Sequence, residues 1–147
     1  LGSITQAVEV HSSIPEFNKP SDINYFEERY KNKKHVIFIA LENDKPIGYM
    51  ISYDRYNDNS IYCWMVGVNP KYRNQKVLSF LMNELELWAK KSSYDCIKIK
   101  TSNKRKVMMS HLINNNFLVT KVYNETKEKH IIDNRINLQK HLIKKEI

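Results

Sequence analysis

Glycine, proline and cysteine are scarce: 147 residues hold three, four and two of them. So few glycines and prolines exclude collagen-like, Gly/Ser-linker and proline-rich segments. Cys63 and Cys96 are not spaced as a redox pair or a zinc knuckle. Each sits in an apolar run, where a free thiol buries as a small hydrophobe. The five histidines are scattered, so no metal site is expected. No run approaches the roughly 18 consecutive apolar residues of a membrane span, and no membrane partner is expected. The opening Leu1-Gly2-Ser3 lacks the basic and apolar regions of a signal peptide and is open to reading as a cloning remnant. Cytoplasmic residence is the expectation.

What is present is ordinary for a globular chain: 41% hydrophobic and 27% charged residues. The length suits one domain over residues 1–147. The net charge is +8, from 24 Lys and Arg against 16 Asp and Glu. Such a surplus favours an anionic partner such as a nucleic acid, a membrane surface or a phosphorylated cofactor. A Lys- and Asn-rich sequence also produces it without any partner.

Val8 and Val10 alternate with polar neighbours, which reads as a short strand interrupted at Pro15. Tyr25, Phe26 and Arg29-Tyr30 recur at helical spacing over about 21–31. Dense β-branched and aromatic runs predict strands over 35–42, 46–56 and 60–68, the first two joined by a turn at Asn43-Asp44-Lys45. The stripe of Val77, Phe80, Leu81, Leu85 and Trp88 predicts a helix over 76–91. A strand over 94–101, a helix over 104–115 and strands over 117–123 and 131–138 complete the order. The strand–helix–strand stretch over 60–101 requires a crossover, so those two strands run parallel. The fold class is therefore α/β (α+β): a mixed sheet with helices on its faces.

The junction at 68–79 carries the chemistry. A central strand ends at Asn69-Pro70, a loop rich in Lys and Arg follows, and a long helix begins. Helix starts present unpaired N–H groups and a positive dipole end, so this is an anion site, with Arg73 and Lys76 within reach of a pyrophosphate. A plain strand–helix connection with solvated charges would look the same.

Val68-Asn69-Pro70-Lys71-Tyr72-Arg73 before an apolar helix resembles the acetyl-CoA motif of the GNAT N-acetyltransferase superfamily. Lys100-Thr101-Ser102-Asn103, a helix, then Asn116-Phe117 is similar to the family's second signature. The hairpin Asn43–Gly48 and the segments Tyr53–Tyr56 and Trp64–Val68 are similar to further family features. The resemblance covers about 35–140. It implies a mostly antiparallel sheet with one splayed parallel pair, and acetyl-CoA as the bound co-substrate lying in the splay. By the same resemblance, Val66 and Val68 face the pantetheine arm. Arg73, Asn74, Gln75, Lys76, Val77, Leu78 and Ser79 cradle the pyrophosphate, and Asn103 fixes the arm. Asn74, Lys76 and Leu78 stand where the family carries glycine, or glycine or alanine. Leu112 stands where it carries its usual general acid, a tyrosine.

With that tyrosine absent, His111 and Tyr62 are the candidate catalytic groups, and Tyr53 and Asp54 are candidate contacts for an amine substrate. The implied activity is transfer of acetyl to a primary amine of a small molecule or peptide by direct attack. The alternative is a GNAT-like binding or regulatory domain without acetyl-CoA. The basic stretch Lys98, Lys100, Lys104, Arg105 and Lys106 has few aromatic neighbours for stacking bases, so nucleic acid is not expected. The last strands with Leu142 and Ile143 leave a homodimer edge and a capped monomer both open.

Overall fold

The computed structural model describes residues 1–17, 22–73, 76–124 and 134–142. Helix α1 (Ile4–Ser12) and helix α2 (Ile23–Tyr30) precede three strands, β1 (His35–Glu42), β2 (Lys45–Tyr53) and β3 (Ser60–Val68). A 3-10 turn at Pro70–Tyr72 leads towards helix α3 (Val77–Lys91). Strand β4 (Cys96–Ser102), helix α4 (Lys106–Asn114), β5 (Leu118–Asn124) and β6 (Asn134–His141) follow. The six strands form one sheet in the order β1-β2-β3-β4-β6-β5. Among the described residues only β3 and β4 pair in parallel, and the other pairings are antiparallel. This is the mixed sheet that the crossover argument requires. Residues 131–133, placed in the last strand by sequence, lie outside the described residues.

The first segment corrects the strand expected around Val8 and Val10, which is helix α1. Ser3 accepts from the Gln6 backbone N–H while the Gln6 side chain accepts from the Ser3 N–H, a capping box that starts the helix. Ala7, Val10, His11 and Ile14 then recur at helical spacing and are buried. Two valines two apart fit either period, and the cap with the longer stripe decides. Gly2 donates to the Ile37 carbonyl at 2.9 Å.

Two cores flank the sheet. On one face Leu81, Leu85 and Ala89 of α3 and Leu112 of α4 meet Met50, Ile61, Ile97, Ile99 and Leu138. On the other, Ala7, Val10 and Phe26 of α1 and α2 meet Tyr49, Ile51, Tyr53 and Tyr62. Both thiols, Cys63 and Cys96, are free and buried. Among the described residues no helix is long and apolar enough to cross a membrane.

Gly48 sets the position of α3. A Cβ there would stand 2.7 Å from Val77 Cγ1, so the bare backbone lets the helix start sit against the β1–β2 hairpin. On the opposite face, a Cβ at Gly67 would meet Ile14 Cδ1 at 2.5 Å, so the segment after α1 closes directly onto β3.

Candidate active site

Strands β3 and β4 pair from Ser60/Cys96 to Cys63/Ile99 and then part. The register explains the parting. Ser52 opposes Cys63 while Ile51 opposes Met65, so Trp64 is an extra residue, a β-bulge in β3. A bulge bends its strand and sharpens its twist. Trp64 and Met65 consequently both pack on the α1–α2 side, whereas Val66 and Val68 turn to the α3 side. Beyond Cys63, the edge of β3 that faces β4 has no strand partner among the described residues. Its backbone groups are open to a ligand that pairs as a strand would.

A cleft of about 370 Å³ occupies the parting. Tyr62, Trp64, Met65 and Val66 form one wall, and Ile99, Lys100, Thr101 and Ser102 the other. Phe17, Arg105, Met108, Tyr123 and Arg135 complete the lining. Among these lining residues there are three cations and no carboxylate.

The start of α3 lies against β1 and β2, where Lys76, Val77 and Phe80 line a separate hollow with Ile39, Leu41 and Ile47. Lys76 is its N-cap with φ 61° and makes no capping hydrogen bond through its side chain. A non-glycine residue in the left-handed region costs roughly 1–2 kcal/mol. Lys76 therefore keeps the backbone that glycine would adopt freely, and its side chain is exposed. Leu78 packs against the α3-side core instead of projecting from the loop. Val77 is buried and Ser79 half-buried in the first turn. Asn74 and Gln75 lie outside the described residues.

Arg73 is engaged within the chain. Its two terminal nitrogens donate to the two Glu16 carboxylate oxygens, each at 2.7 Å, and its Nε donates to the Val68 carbonyl at 3.3 Å. The guanidinium holds the Glu16 carboxyl down to about 2, and the carboxylate in turn raises Arg73. Arg105 lies 5.2 Å over the Phe17 ring. Arg73 and Arg105 thus each hold the segment after α1, at Glu16 and at Phe17.

The other expected site residues are dispersed. Tyr62 borders the cleft, 5% exposed, and burial pushes its hydroxyl up to about 12. Asn103 Oδ1 accepts from the Asn134 N–H at 2.8 Å, which leaves its amide NH₂ as the polar group that can turn to a ligand. His111 is half-buried on α4 and does not line the cleft; burial, with Lys140 nearby, lowers its pKa. Tyr53 is 1% exposed, packed edge-on against Tyr62 and Trp64. Asp54 accepts from the Tyr94 hydroxyl at 2.9 Å, away from the gap. Neither Tyr53 nor Asp54 lines the cleft. Phe17, Tyr123 and Arg135 were not found by sequence reasoning. They border the cleft through chain crossings that no local motif encodes.

A mixed six-stranded sheet with one parallel pair that splays beyond Cys63/Ile99 is the arrangement that the resemblance implies. The model of the acetyltransferase (GNAT) family matches residues 6–109. The chain belongs to that family. The ribosomal-protein-S18-alanine N-acetyltransferase of Escherichia coli is similar in structure, with TM-score 0.81 and 12% identity, covering 97% of this chain and 90% of that one. A GNAT acetyltransferase of Staphylococcus aureus Mu50 gives TM-score 0.73 and 22% identity over 95% and 93% of the chains. A Bacillus anthracis protein described as a streptothricin acetyltransferase, in complex with acetyl coenzyme A, gives 0.68 and 23% over 78% and 66%. No curated protein sequence gives a significant match.

Proposed function

We propose that this protein is an acetyl-CoA-dependent N-acetyltransferase that acts on a primary amine by direct attack. One observation carries the reading: β3 and β4 separate after Cys63/Ile99, which leaves the edge of β3 open to a cleft lined by both strands. Acetyl-CoA supplies an acetyl group activated as a thioester. The open edge of β3 around Val66 pairs with the pantetheine amides, and the Asn103 NH₂ donates to the same arm. The amides of residues 76–79, with Asn74, Gln75 and Arg73, hold the pyrophosphate.

In the reaction the amine nitrogen attacks the acetyl carbon and the carbon–sulfur bond breaks. A β3 N–H polarises the carbonyl oxygen. The Tyr62 hydroxyl, protonated at neutral pH, gives its proton to the departing thiolate, and water takes the amine proton. Of the two expected catalytic groups, Tyr62 is the one that borders the cleft, and the role passes to it from His111.

The Glu16–Arg73 pair favours a second reading, in which the loop is already satisfied and the domain binds a partner without acetyl-CoA. Thermal unfolding with and without acetyl-CoA, at moderate salt, separates the two. A ligand at about 100 times its dissociation constant adds about 2.7 kcal/mol of stability. A saturable rise in Tm of several degrees supports the transferase reading. No rise, or an equal rise with inorganic tripolyphosphate, supports the second.

A further inference from the structure

Lys100 is the first residue of β4 past its last pair with β3, at the point where the two strands part. Ile97 and Ile99 belong to the α3-side core. Alternation along the strand puts Lys98 and Lys100 on the opposite face, which also carries Tyr62. The register sets Tyr62 beside Lys98. Lys100 stands two residues further along the same face, about 7 Å of strand rise. Tyr62 and Lys100 both line the cleft, and both line a second hollow of about 200 Å³.

The cations around this point differ in what holds them. Arg105 lies 5.2 Å over the Phe17 ring, and Arg135 has a partner within the chain. Both carry guanidinium groups, which stay charged and do not act as nucleophiles. Lys98 gives its ammonium to Asp58 at 2.6 Å and lies 4.9 Å over the Tyr56 ring. Lys100 is half-buried, and among the described residues no ion pair or ring contact holds its amine. It is also the one primary amine among the described residues that line the cleft. A primary amine is the chemical class of acceptor that the transfer consumes.

We propose that Lys100 is itself an acetylation site, modified by the acetyl-CoA bound in the same cleft. The inference rests on the transferase reading for the position of the thioester. Lys100 reacts as the neutral amine. Its Nζ attacks the acetyl carbon, so a carbon–nitrogen bond forms while the carbon–sulfur bond breaks. The departing thiolate takes a proton from the Tyr62 hydroxyl, the new amide nitrogen loses one to water, and Tyr62 regains its proton from solvent. The products are acetylated Lys100 and free CoA. Amine and thioester held in one cleft react without a bimolecular encounter, which favours Lys100 over lysines on the surface. The modified side chain has lost its charge, so the cleft wall changes from cationic to neutral there.

The test incubates the full chain with acetyl-CoA and no added amine, then maps acetyl groups on its peptides by mass spectrometry over time. Tm with and without acetyl-CoA is measured on the same protein. Lys100 should be acetylated about tenfold faster than the exposed Lys71 and Lys121, at a rate independent of protein concentration. Lys98, held by Asp58 on the same face, should lag behind it. Lys100→Arg should abolish the fast labelling while the Tm rise with acetyl-CoA persists. Labelling of Lys100 no faster than that of Lys71, or a rate that scales with protein concentration, overturns the inference. An unlabelled Lys100 beside a Tm rise and acetylation of an added amine overturns the inference alone. Neither labelling nor a Tm rise overturns the transferase reading with it.

Discussion

The two faces of the sheet are built to different ends. The α3–α4 face is sealed from β1 across to β6 by aliphatic side chains at helical and strand periods. Among the described residues, aromatic side chains seal the α1–α2 face as far as β3, and lysine, arginine, asparagine and tyrosine line the hollows beyond. The cleft opens where the cover stops. Apolar burial holds the first face, while the second borders a polar cleft.

The largest test of that contrast is a matched pair of truncations. Leu85 is fully buried under the α3 face. Leu85→Ala should cost about 2–5 kcal/mol in urea unfolding, from lost transfer energy and the cavity left behind. Lys121→Ala at an exposed position of β5 should change stability by no more than about 0.5 kcal/mol. Comparable losses at both sites would mean that β5 at Lys121 is part of the core. Next in size is Tyr62→Phe. Removing the proton donor should lower kcat by about 10²-fold, about 2.7 kcal/mol at the transition state. The Tm rise with acetyl-CoA should persist. An unchanged kcat would move the proton donor elsewhere, with Tyr123 the next hydroxyl to test in the cleft.

The same contrast decides what was legible in the sequence. The α3 face is written in local periods: of the predicted stripe, Val77, Leu81 and Leu85 enter the core while Phe80 stays exposed, and the crossover rule gives the parallel pair. Residues 4–14 were misread because Val8 and Val10 satisfy a period of two, while the deciding Ser3–Gln6 box lies outside that window. The cleft was half legible. Val66 and Tyr62 lie on the strand that the motif marks, but the bulge at Trp64 has no glycine or proline to signal it. Arg135 and Tyr123 reach the cleft because β6 inserts between β4 and β5, a long-range pairing without a local signature. Asp54 looked like an amine contact by position along the chain, and its bond to Tyr94 depends on tertiary placement.

A smaller effect is expected where the two faces meet. Glu16 belongs to the segment after α1, and Arg73 to the loop before α3. Their ion pair is partly exposed, with the two side chains 48% and 41% accessible, so its own worth to the fold is small. Its consequence falls on binding, because the guanidinium cannot give both terminal nitrogens to Glu16 and to a phosphate. Glu16→Gln should therefore tighten acetyl-CoA a few-fold in equilibrium binding, with stability almost unchanged. Weaker binding in that variant would mean that Glu16 holds Arg73 in its working position.

The smallest effect is a pH dependence that sets one face against the other. His11 on α1 is 5% exposed, its Nδ1 is 2.7 Å from the Tyr49 hydroxyl, and its ring stacks on Phe17. His111 on α4 is half-buried on the opposite face. Burial lowers the pKa of both below the ordinary 6.5. The unfolded chain therefore takes up protons near pH 6.5 that the folded chain still refuses. Stability is independent of these groups above that pH and falls as the pH drops through it, until the folded pKa values are passed. Urea unfolding at pH 7.5 and 5.5 reads the slope. His11→Gln should remove more of it than His111→Gln, because the ring under the aromatic cover is the more completely buried. The reverse order would place the stricter exclusion of charge on the α4 side and weaken the claim that the α1–α2 cover is tight up to the edge of the cleft.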